Sequence, residues 1–89
     1  IHKGTIENAY TLLNGDYEVI EAEIIETSEL INKELKNCEL PDEIRIGAVL
    51  RKNEIIIPRS NFVFKKQDTV VFLTKRDQLP LVESMFRLS

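Results

Sequence analysis

Apolar and polar positions alternate with a period near two through most of the chain, which predicts short strands, with helical spacing in two places. Asn14-Gly15 sits between Ile6–Leu13 and Tyr17–Ile25. Asn-Gly supplies the positive backbone angles of a two-residue hairpin turn, so these two runs are expected to pair as a β-hairpin. The second run alternates well, with Ile20, Ala22 and Ile24 on one side and Glu21 and Glu23 on the other. The first alternates less cleanly, which leaves a helix across Thr5–Leu13 as the alternative.

Thr27-Ser28 then offers a helix N-cap. Ile31, Leu35 and Cys38 follow at i, i+4 and i+7, Glu29 and Lys33 form an ordered i,i+4 pair, and Pro41 is a stop. This pattern predicts an internal helix over about 28–38. Ile44–Arg51 reads as a strand with Ile44, Ile46, Ala48 and Leu50 on one face. Lys52-Asn53 is a candidate tight turn in which Asn53 takes the left-handed conformation, and Glu54–Ile57 is the returning strand, limited by Pro58. Phe62–Phe64, a turn at Lys66–Asp68 and a strand over Thr69–Thr74 follow. Because Val70, Val71, Phe72 and Leu73 are consecutive, that last strand is expected to be covered on both faces. Asp77 can cap a terminal helix over about 77–87, with Pro80 in its first turn. Leu79, Val82 and Phe86 form one stripe on it; Leu81, Met85 and Leu88 form a second. The expected fold is α+β: a small, mainly antiparallel or mixed sheet of β-hairpins, one internal helix and one C-terminal helix. Residues 1–16 read as a connecting segment or first hairpin strand, and residues 17–89 as the domain.

Eighty-nine residues suffice for one domain with a thin core, so support from a dimer interface is expected. Apolar residues at 43% and charged residues at 30% exclude a disordered chain. Because the chain opens on Ile1, it reads as a fragment of a longer protein or a processed one. No apolar run reaches the roughly 20 residues that span a bilayer, so no direct membrane insertion is expected. A net charge of -3 and no basic-aromatic motif argue against nucleic acid. The charge is unevenly placed: residues 1–43 carry 11 acidic and 3 basic side chains, residues 44–89 carry 4 and 9. A basic second half can attract an anion, although two solvated faces would give the same count.

Candidate catalytic groups are sparse. His2, the lone histidine, lies near the terminus. Cys38, the lone cysteine, sits on an apolar stripe, where a packed thiol is favoured over a nucleophile. The glycines do not form a phosphate loop, and no hydroxyl has a base in view, so no catalytic role is expected. Glu18, Glu21, Glu23 and Glu26 are the densest carboxylates. Glu21 and Glu23 would lie about 7 Å apart on one strand face, but a cation needs three or more converging oxygens, so no metal is assigned. Arg45–Arg59 joins Arg45, Arg51, Lys52 and Arg59 to Ile55-Ile56-Ile57 around a turn. Guanidinium groups read phosphates and isoleucines can sandwich a base, so an anionic nucleotide is chemically reasonable there; an edge hairpin packed on the core or on another subunit is the favoured plain reading.

Several segments, in this order and spacing, resemble the TrkA C-terminal domain family, also called the RCK C-terminal domain. They are Glu18-Val19-Ile20-Glu21-Ala22-Glu23, Leu40-Pro41 with Arg45-Ile46-Gly47-Ala48-Val49, Ile55-Ile56-Ile57-Pro58 and Asp68-Thr69-Val70-Val71-Phe72. The opening His2–Ile6 with Asn14-Gly15 and the closing Val82–Ser89 fit the same family. Asn32, where glycine is common, and Lys66-Gln67-Asp68, where a Gly-Asp turn is frequent, depart from its pattern and imply altered local turns. The resemblance implies a ligand-sensing, dimerising regulatory domain on the cytoplasmic side of the cell membrane. Its partners would be the rest of a TrkA-type protein and a membrane potassium translocation subunit. NAD or ATP would bind only in Rossmann-like domains outside this chain. Some relatives bind a cyclic dinucleotide between paired domains, at positions that correspond to Arg51, Asn53, Ile55 and Ile56. The same type of domain also serves other cation or anion transporters and antiporters, which is the alternative the resemblance carries.

Overall fold

The computed structural model describes residues 6–25 and 28–86. Among the described residues five strands form one antiparallel sheet: β1 (Ile6–Leu12), β2 (Tyr17–Glu23), β3 (Ile44–Arg51), β4 (Glu54–Ile56) and β5 (Thr69–Lys75), in spatial order β1-β2-β5-β3-β4. The α-helix among them, α1 (Leu79–Phe86), follows a 3-10 turn at Arg76–Gln78. The α+β class expected from the pattern is the class observed, and the first segment is a strand rather than the alternative helix.

The sheet buries one face only. Ile20 and Ala22 of β2, Val70 and Phe72 of β5, and Ile44 and Val49 of β3 all lie on it, against Val82, Met85 and Phe86 of α1 and Ile24, Leu30, Cys38 and Phe64 of the connections. Their burial supplies most of the drive to fold, because apolar area removed from water is the dominant favourable term. Phe72 and Phe86 stack with ring centroids 5.0 Å apart, joining sheet to helix. On β5 the expectation of two covered faces is overturned. Val70 and Phe72 are buried, but Leu73 is exposed, since no layer of the described residues lies on the second face. On α1, Val82 and Phe86 of the first stripe are buried and Leu79 is half-buried; of the second, Met85 is buried and Leu81 exposed, while Leu88 is outside the described residues.

Four local expectations are corrected. The Asn14-Gly15 turn is wider than two residues: β1 and β2 pair as far as Leu12 opposite Tyr17, and Leu13, Asn14 and Gly15 all take positive φ before the Asp16 amide donates to the Leu13 carbonyl. In the β3–β4 turn it is Lys52, at φ 56°, and not Asn53 that occupies the left-handed region.

The internal helix over 28–38 does not form. Its backbone groups bond to other parts of the chain instead of along a helical ladder. The amides of Asn32, Leu35 and Lys36 donate to the carbonyls of Phe64, Phe62 and Ser60 at 2.7, 2.7 and 2.8 Å, and the Phe64 amide returns a bond to the Lys33 carbonyl. Asn32, at φ 60°, breaks any helical path. Ser28 still acts as a local cap, since its hydroxyl accepts from the Leu30 amide and donates to the Met85 carbonyl at 3.0 Å, near the end of α1. Only Leu35–Asn37 forms a 3-10 turn.

The fourth correction concerns β3. A bulge lies between Ile46 and Ala48, which pair with the adjacent residues Phe72 and Val71. Gly47 is therefore the extra residue, and the face reverses beyond it. The core side holds Ile44, Ile46, Val49 and Arg51, in place of the expected Ile44, Ile46, Ala48 and Leu50. A Cβ at Gly47 would meet only the Val71 carbonyl, at an ordinary 3.7 Å. Gly47→Ala should therefore change stability by no more than about 1 kcal/mol in urea unfolding. Deleting Gly47 removes the extra residue without moving any β3–β5 pair, because Ile44, Ile46, Val49 and Arg51 then alternate onto the core side by themselves, so the cooperative transition should survive in urea unfolding.

Candidate functional site

The β3–β4 hairpin carries the residues expected to meet a ligand, and the bulge decides their placement. Arg51 ends β3 on the core side, where its guanidinium reaches Asp68 at the start of β5. Nε donates to Asp68 Oδ1 at 2.8 Å and Nη2 to Oδ2 at 2.7 Å, a bidentate, charge-assisted pair. Nη2 also donates to the Val63 carbonyl at 2.9 Å, and the guanidinium carbon lies 4.8 Å from the centre of the Phe62 ring. The Asp68 side chain is 2% exposed and that of Arg51 30%. Asp68 Oδ2 takes a further bond from the Lys65 amide at 2.9 Å. The hydrogen bond to Asp68 raises the affinity of Arg51 for its proton, with partial burial opposing, so the cation is permanent.

The other three expected residues lie elsewhere on the hairpin. Asn53 is exposed at the turn. Ile55 is on the outer face and 73% exposed, whereas Ile56 turns inward and packs on the core. Alternation along β4 thus puts the adjacent isoleucines on opposite faces, Ile55 opposite Leu50 and Ile56 opposite Val49. The structure therefore groups Asn53 with Ile55 on the solvent side and ties Arg51 into an internal network. Asp68 and Phe62, which hold Arg51, were not picked out from the sequence as site residues. The one signal that pointed to them was a glycine inside a strand, the usual mark of a bulge.

The remaining candidates separate. Glu21 and Glu23 occupy the outer face, Glu18 has the opposite parity, and Glu26 is outside the described residues. Among the described residues no three His, Cys, Asp or Glu side chains gather closely enough to hold a metal ion. The Cys38 thiol is buried and donates to the Glu34 carbonyl at 3.3 Å. Burial pushes its ionisation up and nearby Lys33 only partly offsets this, which disfavours the reactive thiolate. His2 lies outside the described residues. Among the described residues no helix is long and apolar enough to cross a membrane.

The pattern of a TrkA-C domain matches residues 19–87, from the middle of β2 to just beyond α1. The chain belongs to the TrkA-C domain family. It is 38% identical over its full length to a Trk system potassium uptake protein TrkA of Azorhizobium caulinodans, covering 19% of that protein. It is 32% identical over its full length to the Haemophilus influenzae protein of the same name, covering 20%. A TrkA homolog of Archaeoglobus fulgidus is 33% identical over 72% of the chain, with 15% of that protein covered. The chain thus spans about a fifth of the length of the curated relatives it matches most fully. The TrkA-C match includes the bulge glycine, Arg51 and Asp68 but not β1, which precedes it.

The two halves of the ion pair should respond unequally to substitution. Arg51→Met strands a buried carboxylate and should cost about 3–4 kcal/mol, whereas Asp68→Asn leaves a cation that can rehydrate and should cost about 1–2 kcal/mol. The double variant should fall short of the sum by about 1 kcal/mol or more in urea unfolding.

Proposed function

We propose that this chain is the regulatory C-terminal module of a cytoplasmic subunit that controls potassium uptake through a membrane translocation protein. The observation that carries this reading is similarity along the whole chain to proteins named for Trk potassium uptake. The module works by binding and association and has no catalytic role of its own. A thiol held as a buried donor and carboxylates spread over two sheet faces are consistent with that assignment. In the cell it sits on the inner side of the membrane, attached through its partner protein.

Regulation in this reading has two parts. The module pairs with a second copy, and it senses an anionic nucleotide, a cyclic dinucleotide being the preferred chemistry. Asn53 and Ile55 present a polar group and an apolar surface to solvent, and Arg51 stands behind them on the same hairpin. Because Arg51 is already paired with Asp68, a bound anion would act on the network that holds the 57–68 connection. Nucleotides such as NAD or ATP belong to other domains of the whole protein.

Thermal unfolding with cyclic di-AMP, ATP and NAD tests the sensing part. A ligand at 100 times its dissociation constant contributes about 2.7 kcal/mol, which raises the midpoint of a domain this size by about 15 °C. The cyclic dinucleotide should give that shift, and Ile55→Ala and Asn53→Ala should remove it while leaving the unliganded midpoint within about 2 °C. Absence of a shift with all three nucleotides in a dimeric sample would remove sensing from the reading. For the transport part, deleting this module from the full-length protein should change potassium-dependent growth and rubidium uptake in cells that lack their own uptake subunit; unchanged uptake would overturn the assignment.

A further inference from the structure

The end of the sheet away from the β3–β4 turn holds an open cleft of about 690 Å³, between the β1–β2 turn and the connection that leads from β5 into α1. Four charged side chains line it: Asp16 from the turn, Lys75 from the end of β5, and Arg76 and Asp77 from the 3-10 turn that follows. Tyr17 lies beside Lys75 as its cross-strand neighbour. The two signs balance, yet among the described residues none of the four forms an ion pair; the pairs there are Lys36 with Glu34 and Arg51 with Asp68. Exposed charges are commonly left to solvent. Arg76 differs, because both of its ends are attached to the β1–β2 turn. Its amide donates to the Asp16 carbonyl at 3.0 Å, and its Nη1 lies 3.0 Å from the point where a Cβ on Gly15 would stand. Gly15 is buried, with φ at 95°, so both the backbone conformation and the close approach of the guanidinium suit glycine there. The result is a guanidinium laid against the turn, with no carboxylate among the described residues on its donors.

We propose that this cleft is a binding site for a small polar zwitterion, a molecule with a carboxylate at one end and an ammonium group at the other. The carboxylate would be taken by Arg76 with Lys75 beside it. A planar guanidinium already held in place accepts a carboxylate through two parallel hydrogen bonds and loses little freedom on binding. The ammonium group would be met by Asp16 and Asp77. A simple anion is a poorer fit, since the same two carboxylates repel it and the cleft carries no net charge. A ligand recognised by apolar burial is a poorer fit too, because Tyr17 supplies the one ring in the lining. The site is separate from the hairpin that presents Asn53 and Ile55. Lys75 stands at the opposite end of β5 from Asp68, so this inference does not depend on nucleotide sensing. An occupant would touch the β1–β2 turn and the residues just before α1 together, and so would fasten the start of the helix to the sheet.

Amide NMR spectra of the isotope-labelled chain, titrated with glycine, diglycine and triglycine, test this, with acetate and methylammonium as controls that carry one charge each. At least one of the three zwitterions should move the signals of Asn14–Tyr17 and Lys75–Asp77, with a dissociation constant on the order of millimolar, as suits so small a ligand. Each control should bind about tenfold more weakly, because it engages half of the site. Arg76→Gln should weaken the zwitterion about tenfold, and so should Asp16→Asn combined with Asp77→Asn. All three side chains are exposed, so the variants should keep the wild-type spectrum elsewhere, and either variant decides the matter where the other does not fold. No localised shift with any of the three zwitterions at tens of millimolar would overturn the site. Acetate that binds as well as the zwitterion would overturn the choice of ligand and leave a plain anion subsite. Undiminished binding by the variants would overturn the roles given to these side chains. Whether a cyclic dinucleotide binds the hairpin changes none of these outcomes.

Discussion

The pairing of Arg51 with Asp68 organises the irregular half of this molecule. The strands need no such device, since their ladders and buried side chains specify each other. The connection from Ile57 to Asp68 has no ladder of its own, and the guanidinium supplies its anchors: the Asp68 carboxylate, the Val63 carbonyl and the Phe62 ring. Once held, that connection offers its own carbonyls at Ser60, Phe62 and Phe64 to the amides of Lys36, Leu35 and Asn32. The segment between β2 and β3 is therefore shaped at second hand by a side chain at the end of β3. A buried ion pair is a poor source of net stability compared with apolar groups of the same volume. Its value lies in selecting one arrangement for two connections that apolar burial alone would leave with several.

The same dependence explains which parts of the fold were legible in the sequence. The β1–β2 hairpin, the alternation of Ile20, Ala22 and Ile24, the strand at Thr69–Lys75 and the terminal helix are written in local periodicity, and the structure contains them. The stripe Ile31, Leu35 and Cys38 has helical spacing too, yet the segment is irregular. Spacing records only that these residues face inward. Their backbone partners come from residues 24 to 32 positions later, and no local signal reports those. The reversal at Gly47 was hidden for a related reason. A bulge costs one residue of phase, and a strand with apolar residues on both sides of the glycine reads equally well with either phase.

That loss of phase carried over to the site. With Arg51 on the outer face, the hairpin resembled a basic surface ready to meet a phosphate. Inside, the guanidinium is neutralised by a carboxylate and held by three partners, so it offers an incoming anion less field than an unpaired arginine would. It offers something else. Any contact that draws on Arg51 changes the anchor of the 57–68 connection, and through it the 28–38 segment and the backbone carbonyl that closes α1 at Met85. Coupling of this kind runs through hydrogen bonds with alternative partners, which is the physical form a switch between two states requires. In the proposed reading, Asn53 and Ile55 would supply the contact area and the buried pair the link from contact to shape.

The location of the pair also separates the two faces of one small sheet. Arg51 and Asp68 act on the covered face, whereas the outer face carries Tyr17, Val19, Val71, Leu73 and Leu50 with no second layer among the described residues. A domain of this size buries only about two-thirds of the surface that its unfolded chain exposes, so its core is thin and few contacts hold each connection. The ladder from β1 through β2 to β5 fixes the strand that begins next to Asp68, so a change at the ion pair is felt in the connections while the strands on which it is mounted stay in place.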